Sequence, residues 1–375
     1  MKFSAKVLAV LMALILTLAG CSSGDTSWVA QAGEETITPG VYLVQLMMGY
    51  NEASSQKPTA EDIMKETIDG LPAAQYITDY AKNECAKLLV VHQEFAKRGL
   101  ELTASDTEQA NSYTEYLYQL GENFYQANGV AKESVQYIND TTMMSLAVFN
   151  SIYGEGGEKE VPRAELEKAM AEQYTRSQYI LFPKVDTSTG LPLEEEAIAA
   201  AKAKAEECLK KAQAGENFTD LLYESAKELD SVNIQERQEK DTAYDAYLEN
   251  NAGFYPPVYE TAILEMADNE IRMVEDDFYC YILKKLPLLE GEPERLEGYL
   301  SAILQNLKYD EYIGTLDSWA KELDIKYNNA ALAAYSAAKL KMTQEEISAA
   351  NSSESSSQTS GESSESASDE GSSAA

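Results

Sequence analysis

Any chemistry done by this 375-residue chain must come from a narrow inventory: one histidine, four cysteines and 24 tyrosines. Ser-His-Asp and Cys-His nucleophile systems both need an imidazole base, so here either would rest on His92 alone. His92 belongs to the series Ile77, Ala81, Cys85, Leu88, His92 and Phe95, which recurs at steps of three and four. That spacing predicts an amphipathic helix over 75–98 with His92 on its apolar stripe, the place of a hydrogen-bonded core histidine rather than a base. No nucleophile motif accompanies it. Cys85, Cys208 and Cys280 show no Cys-x-x-Cys spacing and cannot all pair, which argues against a zinc site or a disulfide scaffold. A single Cys208–Cys280 bridge and isolated buried thiols both stay open. Neither a metal nor a cofactor is expected.

The fourth cysteine has a different setting. Lys2 and Lys6 precede an apolar run over 7–19, and Leu18-Ala19-Gly20-Cys21 forms a small-residue cleavage site ending in cysteine. This resembles the lipobox of bacterial lipoproteins, which implies a signal peptide over 1–20, lipidation of Cys21 and a lipidated tether over 21–27. Thirteen apolar residues are too few to span a bilayer, which takes about 20. The expected location is therefore extracytoplasmic, lipid-anchored to the outer face of the bacterial cytoplasmic membrane. Losing residues 1–20 would change the net charge from −33 to −35, because two lysines and no acids go with them. So acidic a chain cannot bind nucleic acid through a basic surface; the charge reads as solubility and self-repulsion rather than as a cation site.

The remaining elements follow in order. Residues 28–37 read as strand, turn at Gly33 and strand; Thr38 then caps a helix with Pro39 at its first position, running through Tyr42, Leu46 and Met47. Residues 51–60 look loop-like. Thr103 with Asp106 is a capping pair for a helix reaching about residue 126, Asn128-Gly129 breaks it, and a further helix covers 133–153. After a break at 154–157, Pro162 opens a helix through Leu166, Met170 and Tyr174. A short apolar strand, Arg176-Ser177-Gln178-Tyr179-Ile180-Leu181-Phe182, comes next, followed by helices over 193–214 and 218–229. Residues 231–253 are polar with little periodicity. A short helix at 259–266 leads to an edge strand at 270–274 and a strand at 278–284. Two helical stretches lie within 293–323, and 324–328 could close a sheet. From about residue 352 the composition is Ser/Glu-rich and expected to be disordered.

This order of elements resembles the extracytoplasmic foldase lipoproteins of the PrsA/SurA type, which carry a parvulin (PpiC-type) peptidyl-prolyl isomerase domain. The resemblance covers nearly all of 28–328. It is carried by the opening strand-turn-strand and helix from Trp28 to Tyr42, and by Ala96-Lys97-Arg98-Gly99-Leu100-Glu101-Leu102-Thr103 at a helix exit. Residues 161–182, the turn Gly215-Glu216-Asn217-Phe218-Thr219-Asp220-Leu221, and Glu270-Ile271 with Tyr281-Ile282-Leu283-Lys284 carry the rest. It implies an α+β fold in which a helical chaperone-like module, 28–172 completed by 289–343, surrounds an inserted parvulin-like domain, 173–288, ahead of a tail over 344–375. It also implies a membrane-anchored foldase with isomerase activity, whose partners are unfolded or proline-containing secreted polypeptides and the membrane itself, through the lipid on Cys21.

The departures from the family pattern fall on the chemistry. Parvulins usually place a histidine in the first strand and another in the last; here those positions hold Tyr179 and Tyr281. The family's cysteine or aspartate falls near Ser231 or Val232, with Asp230 adjacent, and its glycine-rich stretch is missing from 233–253. Its pocket methionine and phenylalanine correspond to Tyr255 and Tyr259. Prolyl isomerisation makes no covalent intermediate: a barrier of about 18–20 kcal/mol comes from lost amide resonance, and a site lowers it by desolvating the peptide and favouring the twisted geometry. Tyr179, Tyr255, Tyr259 and Tyr281 are thus candidate substrate-binding residues, apolar on the ring and hydrogen-bonding at the edge; Tyr179 and Tyr281 could equally be a cross-strand packing pair. Two functions follow, an isomerase and a catalytically inactive chaperone or peptide-binding lipoprotein on the same fold. A solute-binding lipoprotein would need two similar α/β lobes, and the helical runs before Gly154 argue against it.

Overall fold

The structure, a computed structural model, describes residues 25–227, 238 and 240–359, with side chains as far as Asn351 in the last helix. The expected signal peptide, Cys21, the aligned positions Asp230, Ser231 and Val232, and the tail beyond 359 lie outside the described residues. The chain divides into two compact units, one formed by the residues up to Ile152 together with those from Asp310 onward, the other by Tyr153–Tyr309. Both helices and sheets are present, an α+β composition.

In the first unit, β1 (Ala30–Ala32) pairs antiparallel with β2 (Glu35–Ile37). Helix α1 (Pro39–Gln56) starts with proline at its first turn, where a missing N–H costs nothing. It runs well into the stretch expected as loop, because small buried residues carry its inner face onward: Ala53 is fully buried, and a Cβ added at Gly49 would lie 3.0 Å from the Tyr80 ring. The short hairpin β3 (Thr67–Ile68) and β4 (Leu71–Pro72) precedes α2 (Ala73–Lys97), against which α1 packs. Thr103 and Asp106 form a reciprocal capping box at the start of α3 (Ala104–Leu120). The single helix expected to residue 126 is interrupted at Gly121 and resumes as α4 (Glu122–Ala127), after which α5 covers Lys132–Tyr153.

The second unit opens with α6 (Arg163–Gln173), which passes directly into β5 (Tyr174–Pro183). Helices α7 (Glu195–Gln213) and α8 (Phe218–Lys227) follow. Strand β6 (Ala246–Glu249) lies in the polar stretch where no element was expected, and α9 (Pro257–Glu265) leads to β7 (Ile271–Glu275) and β8 (Tyr279–Leu286). The sheet order is β6-β5-β8-β7, every neighbour antiparallel. The two helical stretches expected after residue 293 are one helix, α10 (Pro293–Glu322): Gly298 and Gly314 are tolerated inside it, and its residues to Tyr309 belong to this unit.

Back in the first unit, β9 (Lys326–Tyr327) adds to the free side of β1, so the sequence's last strand closes the sheet begun by its first. Helices α11 (Asn329–Ala334) and α12 (Gln344–Thr359) end the described chain. The backbone is thus helical well past residue 344, into the segment assigned to a disordered tail: Thr343 and Glu346 cap α12 and Ile347 is buried. Cys85, Cys208 and Cys280 are all buried free thiols, so the Cys208–Cys280 bridge does not form.

Candidate functional site

Strand β5 sends alternate side chains to opposite faces, as a period of two requires. Ile180 and Phe182 join Cys280 and Ile282 of β8 in an aliphatic cluster under α7 and α8. Tyr179 and Leu181 join Tyr281 and Leu283 on the other face, under α9. Register sets Tyr179 opposite Leu283 and Tyr281 opposite Leu181, so the two tyrosines are not a directly opposed pair. They meet instead through Tyr259 of α9, whose ring centroid lies 5.6 Å from that of Tyr179 and 6.0 Å from that of Tyr281 in edge-to-face contacts. Tyr255 stacks on Tyr259 at 5.0 Å. The four tyrosines singled out from the sequence therefore form one cluster.

They do not share one environment. Tyr259 is 1% exposed, its hydroxyl 2.9 Å from that of Ser177, and burial pushes its pKa well up. Tyr281 is 4% exposed and donates to Asp276 Oδ2 at 2.9 Å; burial and that carboxylate both raise its pKa. Burial pushes the Asp276 carboxyl up, but the main-chain N–H groups of Tyr279 and Phe278 and the Tyr281 hydroxyl outweigh it and hold the group below its ordinary value. Tyr259 and Tyr281 are thus walls of the cluster with their hydroxyls already engaged. Tyr179 and Tyr255 face outward, into a pocket of about 480 Å³.

That pocket sits where β6 ends. Besides Tyr179 and Tyr255 it is lined by Leu181, Leu222 of α8, Tyr244, Tyr247, and Arg295 and Tyr299 of α10. Tyr247 and Tyr299 stack at 4.8 Å, and the Arg295 guanidinium lies over the Tyr247 ring at 4.7 Å. The Tyr247 hydroxyl is buried with no hydrogen-bond partner among the described residues, and a Cβ added at Gly291 would stand 1.7 Å from it, so only glycine leaves room for this ring. Beneath lies a buried ion pair: Arg176 contacts Asp245 Oδ2 through Nε at 2.7 Å and Nη2 at 2.6 Å, and donates from Nη1 to the Pro287 carbonyl at 2.8 Å. Gln178 donates to the other Asp245 oxygen at 3.0 Å. Burial pushes the Asp245 carboxyl up, opposed by Arg176 and Gln178. A second recess, of about 250 Å³, continues from Leu181 and Ser225 along Pro183 and α7.

The arrangement offers aromatic faces, a few hydroxyls and one guanidinium. Among the described residues no cluster of three His, Cys, Asp or Glu side chains could hold a metal. His92 is largely buried and hydrogen-bonded: its Nε2 lies 2.8 Å from Thr141 Oγ1, its Nδ1 lies 3.7 Å from Glu35 Oε2, and the ring stacks on Tyr137 at 4.9 Å. Arg176, Asp245, Tyr247, Arg295 and Tyr299 escaped the sequence reading. The one available signal was Ala243-Tyr244-Asp245-Ala246-Tyr247-Leu248, an aromatic pair three apart inside an otherwise polar run.

No family model matches the chain, and no curated protein matches it. Among solved structures it is similar to PrsA from Bacillus subtilis, with 16% identity and a TM-score of 0.31, over 80% of this chain and 93% of that one. It is similar to the foldase protein PrsA from Lactococcus lactis, with 12% identity and a TM-score of 0.35, over 82% of this chain and 97% of that one. A third, the peptidylprolyl isomerase PrsA from Bacillus anthracis, matches with 18% identity and a TM-score of 0.22, over 66% of this chain and 98% of that one. Identities are low and the whole chains superpose poorly.

Proposed function

We propose that this protein is an extracytoplasmic foldase, held at the outer face of the cytoplasmic membrane by a lipid on Cys21, that binds extended and proline-containing segments of secreted polypeptides and speeds their prolyl isomerisation. The observation that carries the reading is the tyrosine pocket. Tyr179, Tyr247, Tyr255 and Tyr299 present rings that shed water readily and edges that hydrogen-bond, which suits a peptide of no fixed sequence. Phe254, 83% exposed beside Tyr255, extends that apolar surface outward. Isomerisation asks for no nucleophile. A dry aromatic wall around a prolyl amide destabilises its planar, strongly solvated form relative to the twisted one, the only differential a catalyst of this reaction needs.

The test is the isomerisation rate of a proline-containing peptide with the protein lacking residues 1–21, beside a Tyr179→Ala, Tyr255→Ala double variant. The expected result is acceleration by the parent chain that falls by about tenfold or more in the variant, equivalent to about 1.4 kcal/mol of lost transition-state binding. No acceleration, with aggregation of an unfolded client still suppressed, would move the function to holding chains. Neither effect would end the foldase reading.

A further inference from the structure

The edge of β5 that faces β6 is paired along only part of its length. Strand β6 covers Tyr174–Ser177, whereas β8 covers β5 from Arg176 to Pro183. In an antiparallel sheet alternate residues direct both main-chain groups to the same neighbour. The Lys184 N–H donates to the Phe278 carbonyl beyond the end of the β8 ladder, which assigns even-numbered residues to β8; the Asn250 N–H donates to the Gln173 carbonyl, which assigns odd-numbered residues to the β6 side. Past Ser177 the odd residues are Tyr179, Leu181 and Pro183. Their carbonyls, and the N–H groups of Tyr179 and Leu181, point toward a side where no strand pairs with them among the described residues.

This open edge does not face a flat surface. It borders the two recesses described above, which have Leu181 and Ser225 in common and are together called the groove. Tyr179, Tyr255 and Leu181 line it, as do the small residues Ser225 and Ala226 of α8 and Ala197, Ala200 and Ala201 of α7. The charged residues lining it are Arg295 at one end, Lys204 at the other, and Asp245, which Arg176 neutralises. Arg295 makes no ion pair among the described residues, its hydrogen bond going to the Asp245 carbonyl at 3.2 Å. A chain of net charge −33 thus places Arg295, a cation with no ion pair among the described residues, beside a strand edge that no described strand covers.

We propose that the occupant of this groove is an extended client segment that adds to β5 as an antiparallel or parallel fifth strand, pairing with the main chain of Tyr179 and Leu181 and turning an acidic side chain toward Arg295. Unpaired alternating donors and acceptors are complemented by another strand and by little else, which explains how one site could accept many sequences: main-chain bonds give affinity and the pocket reads side chains. The free edge over 178–183 is about 20 Å long at about 3.3 Å per residue, enough for a segment of about six residues. The inference rests on the reading of the protein as a binder of non-native chains and adds where and how they bind.

The experiment uses the chain lacking residues 1–21 and a synthetic peptide of about eight residues, alternating Tyr or Val with Thr and ending in Glu, beside the same peptide N-methylated at alternate residues along one edge. Binding is read by fluorescence anisotropy, and hydrogen exchange at the Tyr179 and Leu181 amides by NMR. The expected result is fast exchange in the free protein, slowed by about tenfold or more with peptide, and an affinity about tenfold weaker for the peptide methylated on its bonding edge. Ala226→Trp, which fills the groove without touching the ladder, should abolish binding. Arg295→Glu should weaken the Glu-ended peptide and not its Gln-ended counterpart. Equal affinity for the methylated peptides, or exchange already slow in the free chain because its own residues or a second copy cover the edge, overturns the proposal while leaving the foldase reading intact. No binding of either the peptide or an unfolded client overturns both.

Discussion

The two faces of the four-stranded sheet are made by the same two central strands, yet they are built to different ends. Toward α7 and α8, Ile180, Phe182, Cys280 and Ile282 interlock in a dry cluster without a hydroxyl. Toward α9, Tyr179 and Tyr281 occupy the equivalent strand positions and, with Tyr259 of that helix, bring polar atoms inside. A buried hydroxyl costs stability unless it is bonded. Tyr259 and Tyr281 meet that condition with neighbours on their own face, Ser177 and Asp276. Tyr179 turns toward the pocket, and its hydroxyl makes no hydrogen bond among the described residues. One face supplies cohesion, the other an aromatic surface with polar edges.

Four variants would break or sharpen this contrast. The largest effect is expected at the polar corner that separates the faces: Arg176→Met strands the fully buried Asp245 carboxylate and should cost about 3–5 kcal/mol in denaturant unfolding of the second unit. Asp245→Asn in the same background should restore part of that, since no buried charge then lacks a partner. On the dry face, Ile282→Ala removes a fully buried side chain and should cost about 2–4 kcal/mol through lost burial and a residual cavity. A loss under about 1 kcal/mol would mean that this face packs no better than the other.

On the tyrosine face, Tyr281→Phe should cost about 1–2 kcal/mol at neutral pH, because the Asp276 carboxylate keeps its two main-chain donors and loses only the hydroxyl. The penalty should depend on pH. Asp276 has a lowered folded-state pKa, so its stabilising bonds are fully present above the ordinary aspartate value near 3.9 and are lost as pH falls through the lowered value. Parent and variant should therefore converge in acid. A difference that stayed constant down to about pH 2 would show that the hydroxyl, not the carboxylate, is the group being stabilised.

What could be read beforehand was whatever local pattern dictates. The short apolar run from Tyr179 to Phe182, the three-and-four steps of α2 and α7, and the Thr103–Asp106 cap each announce their element within a few residues. What escaped depends on distance. Strand β6 has four residues and no alternation of its own; it is a strand because β5 offers it a ladder. Arg176 and Asp245 stand 69 positions apart, so neither charge advertises its partner, and each reads singly as a surface residue. The tyrosines were placed by resemblance, and that could locate a cluster but not say which rings face outward: depth in a pocket is set by Tyr247, Tyr299 and Gly291, which come from other elements.

The β5 edge, partly unpaired among the described residues, also bears on how this protein behaves when concentrated. A free edge is where a second copy would zip on, the usual first step toward aggregation. Pro183 closes the far end of the run, since it has no N–H to extend a ladder. The net charge of −33 does the rest by pushing like molecules apart before their edges can meet. That second safeguard works through space and is screened over about 8–10 Å at physiological salt. The net charge and the open edge therefore act together, and ionic strength sets how far the protein can be concentrated before its edges begin to pair with one another.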